Sequence, residues 1–271
     1  MSDSLRRGFR LRSSRRTVTL AACAAVIAAL LAVAALAPLP VVIVAPGLTA
    51  DVLGADKGTP VITVTGAPVR RTSGQLRLVT IEATSPQASV HFGDVWHAWF
   101  DKGQAAMPRD AVYPSGGSVQ EIEKVNQREM ADSQTAATAA ALKEMGLSPA
   151  KVKVTLRLAD VGGPSAGLLF TLGIIDKVDG DGHGGDLTGG RAIAGTGTID
   201  ASGRVGAVGG VPLKEQAARR DGATVFLVPR AECADAKAQL PSGLKLIPVT
   251  TLDNALSALS ALRTAHPTPT C

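Results

Sequence analysis

Gly162-Gly163-Pro164-Ser165-Ala166-Gly167 is the stretch on which the reading of this chain turns. Two glycines and a proline force a tight turn. In front of them, Val152 to Leu158 alternates as a strand does, and behind them Leu168 to Ile175 is apolar throughout, as expected of a buried helix. A serine is thereby set at a strand-to-helix corner. The first N–H groups of a helix lack intrahelical partners and carry the positive end of its dipole, so they can hold an oxyanion about 3 Å away. Small neighbours let a polypeptide approach. The same features also suit a plain glycine-rich connection, or a helix N-terminus that merely binds an anion.

A serine needs a base to act as a nucleophile at neutral pH. Downstream of Ser165 the histidines are His183, in the loop Asp179 to Asp186, and His266, in a Pro/Thr tail. Neither position suits a rigid general base, and the Ser, Asp, His order of an α/β-hydrolase would need a larger sheet than 106 further residues provide. Lysine is the alternative, because burial among apolar groups favours its neutral amine. Lys214 follows Val205, Val208, Val211 and Leu213, with Gly209-Gly210 permitting close approach. A solvated lysine at a helix start would fit the same residues.

The remaining pattern alternates strands and helices, which indicates an α/β domain. Strands are expected at Val61 to Thr65, Leu76 to Ala83, Val152 to Leu158, Val225 to Pro229 and Lys245 to Val249, with a hairpin around Asp200-Ala201-Ser202. Helices are expected from the capping box at Ser118 to Met130, over Ala136 to Met145, after the serine turn, from Lys214 to Gly222, over Ala231 to Leu240 and over Leu252 to Leu262. Val41 to Val44 and Pro46-Gly47 read as an exit segment after an apolar stretch. Val90 to Phe100 holds both tryptophans, Trp96 and Trp99, and reads as a packed satellite core rather than a membrane-interface cluster. The acidic loop Asp179 to Asp186 misses the glutamate of a calcium loop, since Gly190 stands in its place, so no metal is expected.

Charge excludes a nucleic-acid role. Residues 1–16 hold six arginines, and taking those and Asp3 from the 28 basic and 23 acidic residues leaves 22 of each. A nucleic-acid-binding domain would keep a basic face of its own. From Thr17 to Pro46 there is no charge, and Val18 to Ala37 alone supplies the roughly 20 apolar residues that cross a hydrocarbon core. The arginine arm then stays cytoplasmic and the rest lies outside. A cleaved signal peptide is the rival reading, with Ala35-Leu36-Ala37 as its small-x-small site, although Pro38 would follow the cut. Cys233 and Cys271 form an even pair in a compartment that permits disulfides, and a bridge between them would tie down the tail. The expected organisation is a basic arm over 1–16, an anchor over 17–45, a linker with a first strand over 46–73, one domain over 74–263 and a polar tail over 264–271.

Gly162 to Gly167, together with Gly195-Thr196-Gly197-Thr198-Ile199, Gly203-Arg204-Val205 and Gly209-Gly210 followed by Lys214, resembles the proteolytic domain of the Lon family of Ser–Lys serine peptidases (S16). Leu78 to Glu82 resembles an early strand of that domain and Met130 to Ala137 its first helix. The resemblance implies the α/β Lon fold, with Ser165 as nucleophile, Lys214 as general base and Thr196 supporting the lysine. Gly163, Pro164 and Ala166 would then shape the turn and its oxyanion site, and Asp160, just upstream, fits a cap of the turn or else a further polar partner. It implies a protein or peptide substrate, no cofactor and a possible homo-hexamer. No GxxxxGK[ST] loop occurs, so the ATPase module of full-length Lon is not expected. The closer likeness is to membrane-anchored Lon-like proteins, but only Gly146 to Lys151 separates the alanine-rich helix from the serine-bearing strand, which leaves no room for their PDZ domain.

Overall fold

The computed structural model describes residues 15–113, 118–158 and 163–271. The chain opens with helix α1 (Arg15–Leu36), then β1 (Val41–Asp51), the short strands β2 (Ala55–Asp56) and β3 (Thr59–Pro60), β4 (Ile62–Thr65) and β5 (Gln75–Ala83). Helix α2 (Phe92–Phe100), β6 (Ala105–Pro108), α3 (Arg109–Val112) and the long α4 (Val119–Glu144) follow. Next come β7 (Lys153–Leu156), a 3-10 turn (Pro164–Ala166), α5 (Gly167–Val178), β8 (Ala192–Gly195), β9 (Thr198–Ile199) and β10 (Val205–Gly206). The chain closes with α6 (Val211–Arg220), β11 (Val225–Pro229), α7 (Cys233–Ala238), β12 (Lys245–Val249) and α8 (Leu252–Arg263).

A six-stranded sheet in the order β12-β11-β8-β5-β1-β6 carries the domain. Its first four strands are parallel, while β1 runs antiparallel to both neighbours. Strand residues alternate between two cores, as a sheet covered on both faces requires. Leu76, Leu78, Val225, Leu227 and Ile247 pack on one side with Leu168, Leu169 and Leu172 of α5. Val79, Phe226, Val228 and Leu246 pack on the other with Val211 and Ala218 of α6. The layers are therefore helices, sheet, helices, with the α5 and α6 N-termini placed to meet at one cleft.

Several expectations change. Val41–Asp51 is a sheet strand paired with both β5 and β6, so this segment is no exit linker, and the apolar helix ends at Leu36 rather than at residue 45. Pro46 and Gly47 lie within this strand. The sheet accommodates them by a register shift between Pro46 and Thr49. The two helices expected over Ser118 to Met145 are one, α4, because nothing between Met130 and Ala136 breaks it; Ser118 caps it by accepting from the Glu121 N–H. Trp96 and Trp99 are 56% and 80% exposed and form no satellite core. The arm through Arg12, together with Asp160 and Gly162, lies outside the described residues.

The acidic loop finds its partners within the protein. Asp181 accepts from the His183 and Gly185 N–H groups and pairs with Arg263, while Asp186 accepts from Ser73 and Arg70. Cys233 and Cys271 are bonded, and Cys271 packs against the core behind α6. A bridge spanning 38 positions in sequence is expected to contribute about 4 kcal/mol by constraining the unfolded chain. Calorimetry on Cys233→Ser/Cys271→Ser should show a Tm lower by about 10 °C. An unchanged Tm would show that the tail holds without the bridge.

Candidate active site

Ser165 sits in the 3-10 turn that leads into α5. Gly163 precedes the turn at φ +86°, a left-handed conformation in which an L side chain is strained, and Pro164 supplies a preset φ at the first position. Three hydrogen bonds fix the turn. Ser133 Oγ, buried on α4, donates to the Pro164 carbonyl at 3.0 Å, the Gly197 N–H donates to the Ser165 carbonyl at 2.9 Å, and the Leu168 N–H donates to the Gly197 carbonyl at 3.1 Å. The serine backbone is therefore held from two directions. Its side chain faces a cleft of about 310 Å³ walled by Ile81, Met107, Val112, Val208 and Lys214.

Lys214 reaches the same cleft from α6. This helix starts at Val211, three residues before the lysine, because Gly210 adopts the left-handed N-cap conformation at φ +71° and Pro212 suits the first turn. A Cβ at Gly210 would also come within 2.9 Å of Ile81. The lysine side chain is 4% exposed, and loss of hydration lowers its pKa from 10.5 to about 8, against an opposing pull from Glu232. Its Nζ donates to Thr196 Oγ1 at 3.2 Å, and that hydroxyl in turn donates to the Ser165 carbonyl at 3.3 Å. Among the described residues no hydrogen bond joins Ser165 Oγ to Lys214 Nζ directly. Thr196, fully buried, is the link that holds the amine beside the serine turn.

Ser165 of the 3-10 turn and Lys214 of α6 thus converge on one cleft, with Gly163 and Pro164 at its edge, while Thr196 of the β8–β9 connection lies buried behind the two and is hydrogen-bonded to both. Ala166 is buried beneath the turn. Residues 130–261 match the family model of the Lon protease (S16) C-terminal proteolytic domain. The chain carries a Lon proteolytic domain. Its mixed helix-and-sheet architecture is the Lon fold, and all three residues lie within the matched segment. β5 and β6 lie outside that segment, yet they build the opposite wall of the cleft through Thr80, Ile81 and Met107. Within these 271 residues no ATPase domain is evident. α1 is long and apolar enough to cross a membrane, with a mean hydropathy of 2.6, a property that a secretion signal shares.

Two further residues of the Lon domain escape a reading of the sequence. Ser133 looks like one more polar residue on an alanine-rich helix, and only the packing of α4 on the serine turn reveals its contact. Glu215, next to Lys214, is fully buried and neither of its carboxyl oxygens has a hydrogen-bond partner among the described residues. Burial raises its pKa from 4.5 to about 8. Between those two values the unfolded chain releases a proton that the folded protein retains, so this group costs stability progressively as pH rises from 4.5 to 8. Glu215→Gln should therefore gain on the parent protein across that range and hold a constant advantage above it. Calorimetry at matched pH values showing a constant difference throughout would contradict this.

Proposed function

We propose that the protein is an ATP-independent serine endopeptidase, tethered to the membrane by α1 with its domain on the extracytoplasmic side, in which Ser165 is the nucleophile and Lys214 the general base. The observation that carries the reading is a nearly dry lysine amine tied through one threonine to the backbone of a serine at a helix entrance. At pH near 8 a substantial share of Lys214 is neutral and can accept a proton. The Ser165 Oγ–H proton passes to Lys214 Nζ as Oγ attacks the peptide carbonyl carbon. N–H groups of the first turn stabilise the resulting oxyanion. Collapse of this intermediate breaks the C–N bond while the lysine ammonium protonates the leaving amine. Water, deprotonated by the same lysine, then hydrolyses the acyl ester.

Thr196 is a positioning residue in this scheme, since it touches the lysine rather than the substrate. Thr196→Val keeps the shape and removes the hydroxyl. Turnover is expected to fall about ten- to a hundred-fold, the scale of one hydrogen bond to a charged group, with little change in KM. The pH profile should shift as well, because the amine loses an oriented acceptor. A variant with unchanged turnover and profile would remove Thr196 from the mechanism.

The reading is tested by a peptidyl boronate at neutral pH. A covalent adduct seen by native mass spectrometry, and absent from Ser165→Ala, supports an activated nucleophile. A protein that binds peptides through this helix entrance without reacting would be a binding module on the same fold.

A further inference from the structure

Helix α2 is amphipathic in the wrong sense for a soluble domain. Phe92, Trp96, Trp99 and Phe100 recur at helical spacing on one face, and all four are more than half exposed, whereas Ala98 on the opposite side is buried. Three of the rings form a row, with Phe92 and Trp96 centroids 6.1 Å apart and Trp96 and Phe100 centroids 5.1 Å apart, and Trp99 stands on the same face. Four of the chain's eight aromatic residues, including both tryptophans, lie on this one surface. Its start is fixed: the His91 N–H donates to Asp94 Oδ2 at 2.8 Å.

The location of this face says what covers it. Three residues after α1 ends at Leu36, the Leu39 N–H donates to the Val90 carbonyl at 2.8 Å, two residues before α2 begins. The aromatic row is therefore pinned to the end of α1, the one helix suited to cross a bilayer among the described residues, and α1 and α2 pack beside each other. At that height lie lipid headgroups, where tryptophan is enriched because its ring is apolar and its N–H remains hydrated. α2 carries Asp94 and His97 but no lysine or arginine, so attraction to anionic lipid is not what holds it. On the reading that α1 spans the membrane, we propose that α2 is an interfacial helix, its Phe92–Trp96–Trp99–Phe100 face buried in the headgroup region of the leaflet from which α1 emerges. β6 and α3 follow α2 directly and supply Met107, Ala111 and Val112 to the cleft, so this docking also sets the height of the cleft above the bilayer.

Both tryptophans belong to α2, so fluorescence excited selectively at tryptophan reports on this helix alone. The full-length protein, reconstituted in phosphatidylcholine vesicles, is first floated on a density gradient after an alkaline wash. Its emission is then quenched separately by lipid carrying a spin label near the headgroup and by aqueous acrylamide. The expected result is flotation, strong quenching by the lipid label that high salt leaves unchanged, and protection from acrylamide. The variant Phe92→Ser/Phe100→Ser, which keeps both tryptophans, should still float but lose most of the lipid quenching. Flotation with acrylamide quenching alone would overturn the interfacial helix and leave the anchor standing. Protection from both quenchers would mean that a second copy of the chain covers the face, which also overturns it. Failure to float would overturn the anchor and the interfacial helix together.

Discussion

Ser165→Ala is expected to abolish turnover of an unstructured polypeptide, by at least about 10⁴-fold, while leaving the fold in place. The size follows from what is lost. Without Oγ there is no acyl intermediate, and the oxyanion site and substrate binding alone supply only a residue of the rate. The fold survives because the turn is held by backbone carbonyls of Pro164 and Ser165, bonded to Ser133 and Gly197, and none of these contacts uses the Ser165 side chain. A calorimetric scan should place the variant within a few degrees of the parent protein. Turnover within ten-fold of the parent, measured on casein or a fluorogenic peptide, would exclude Ser165 as the nucleophile.

Lys214→Met is expected to lose turnover on a similar scale and, unlike the serine variant, to gain stability. The buried amine has a folded pKa of about 8 against 10.5 for a free lysine. Below pH 8 both states bind the proton, and the folded one bears the full cost of burying the charge. Between pH 8 and 10.5 the unfolded chain binds more protons, so the parent protein gains stability as pH rises and the cost fades. Methionine has a similar length and no charge to desolvate. Its advantage should therefore be largest at pH 7 and shrink across pH 8 to 10.5. A group that costs stability and is nonetheless buried in a cleft beside a serine is more simply explained by chemistry than by packing. If the methionine variant were active, or less stable at pH 7, Lys214 would be a structural residue.

The parallel half of the sheet was readable because its strands are short apolar runs separated by helical periods. Val225 to Pro229 and Lys245 to Val249 fall where their composition places them. The serine corner was readable for a similar reason, since glycine, proline and a following apolar helix leave few other conformations. β1 was hidden by Pro46 and Gly47, whose irregularity the neighbouring strands absorb through a shift in register. The start of α6 was misplaced because a left-handed glycine N-cap leaves no polar capping side chain to notice. The aromatic cluster misled for a different reason. Periodicity reveals that a helix has an apolar face, but not whether protein or lipid covers it. The dryness of Lys214 and the isolation of Glu215 depend on strands far away in sequence and have no local signal.

The central claim is that Ser165 and Lys214 work as one unit, the second drawing the proton from the first. It is tested most directly by the rate at which a peptidyl boronate modifies Ser165, followed as a function of pH in the parent protein and in Lys214→Met. The parent rate should climb with a midpoint near pH 8, as the Lys214 ammonium gives up its proton, and then level off. The variant should react at least a hundred-fold more slowly at pH 8, with no inflection there. Equal rates in the two proteins, or a parent rate that does not change with pH between 6 and 10, would contradict the account.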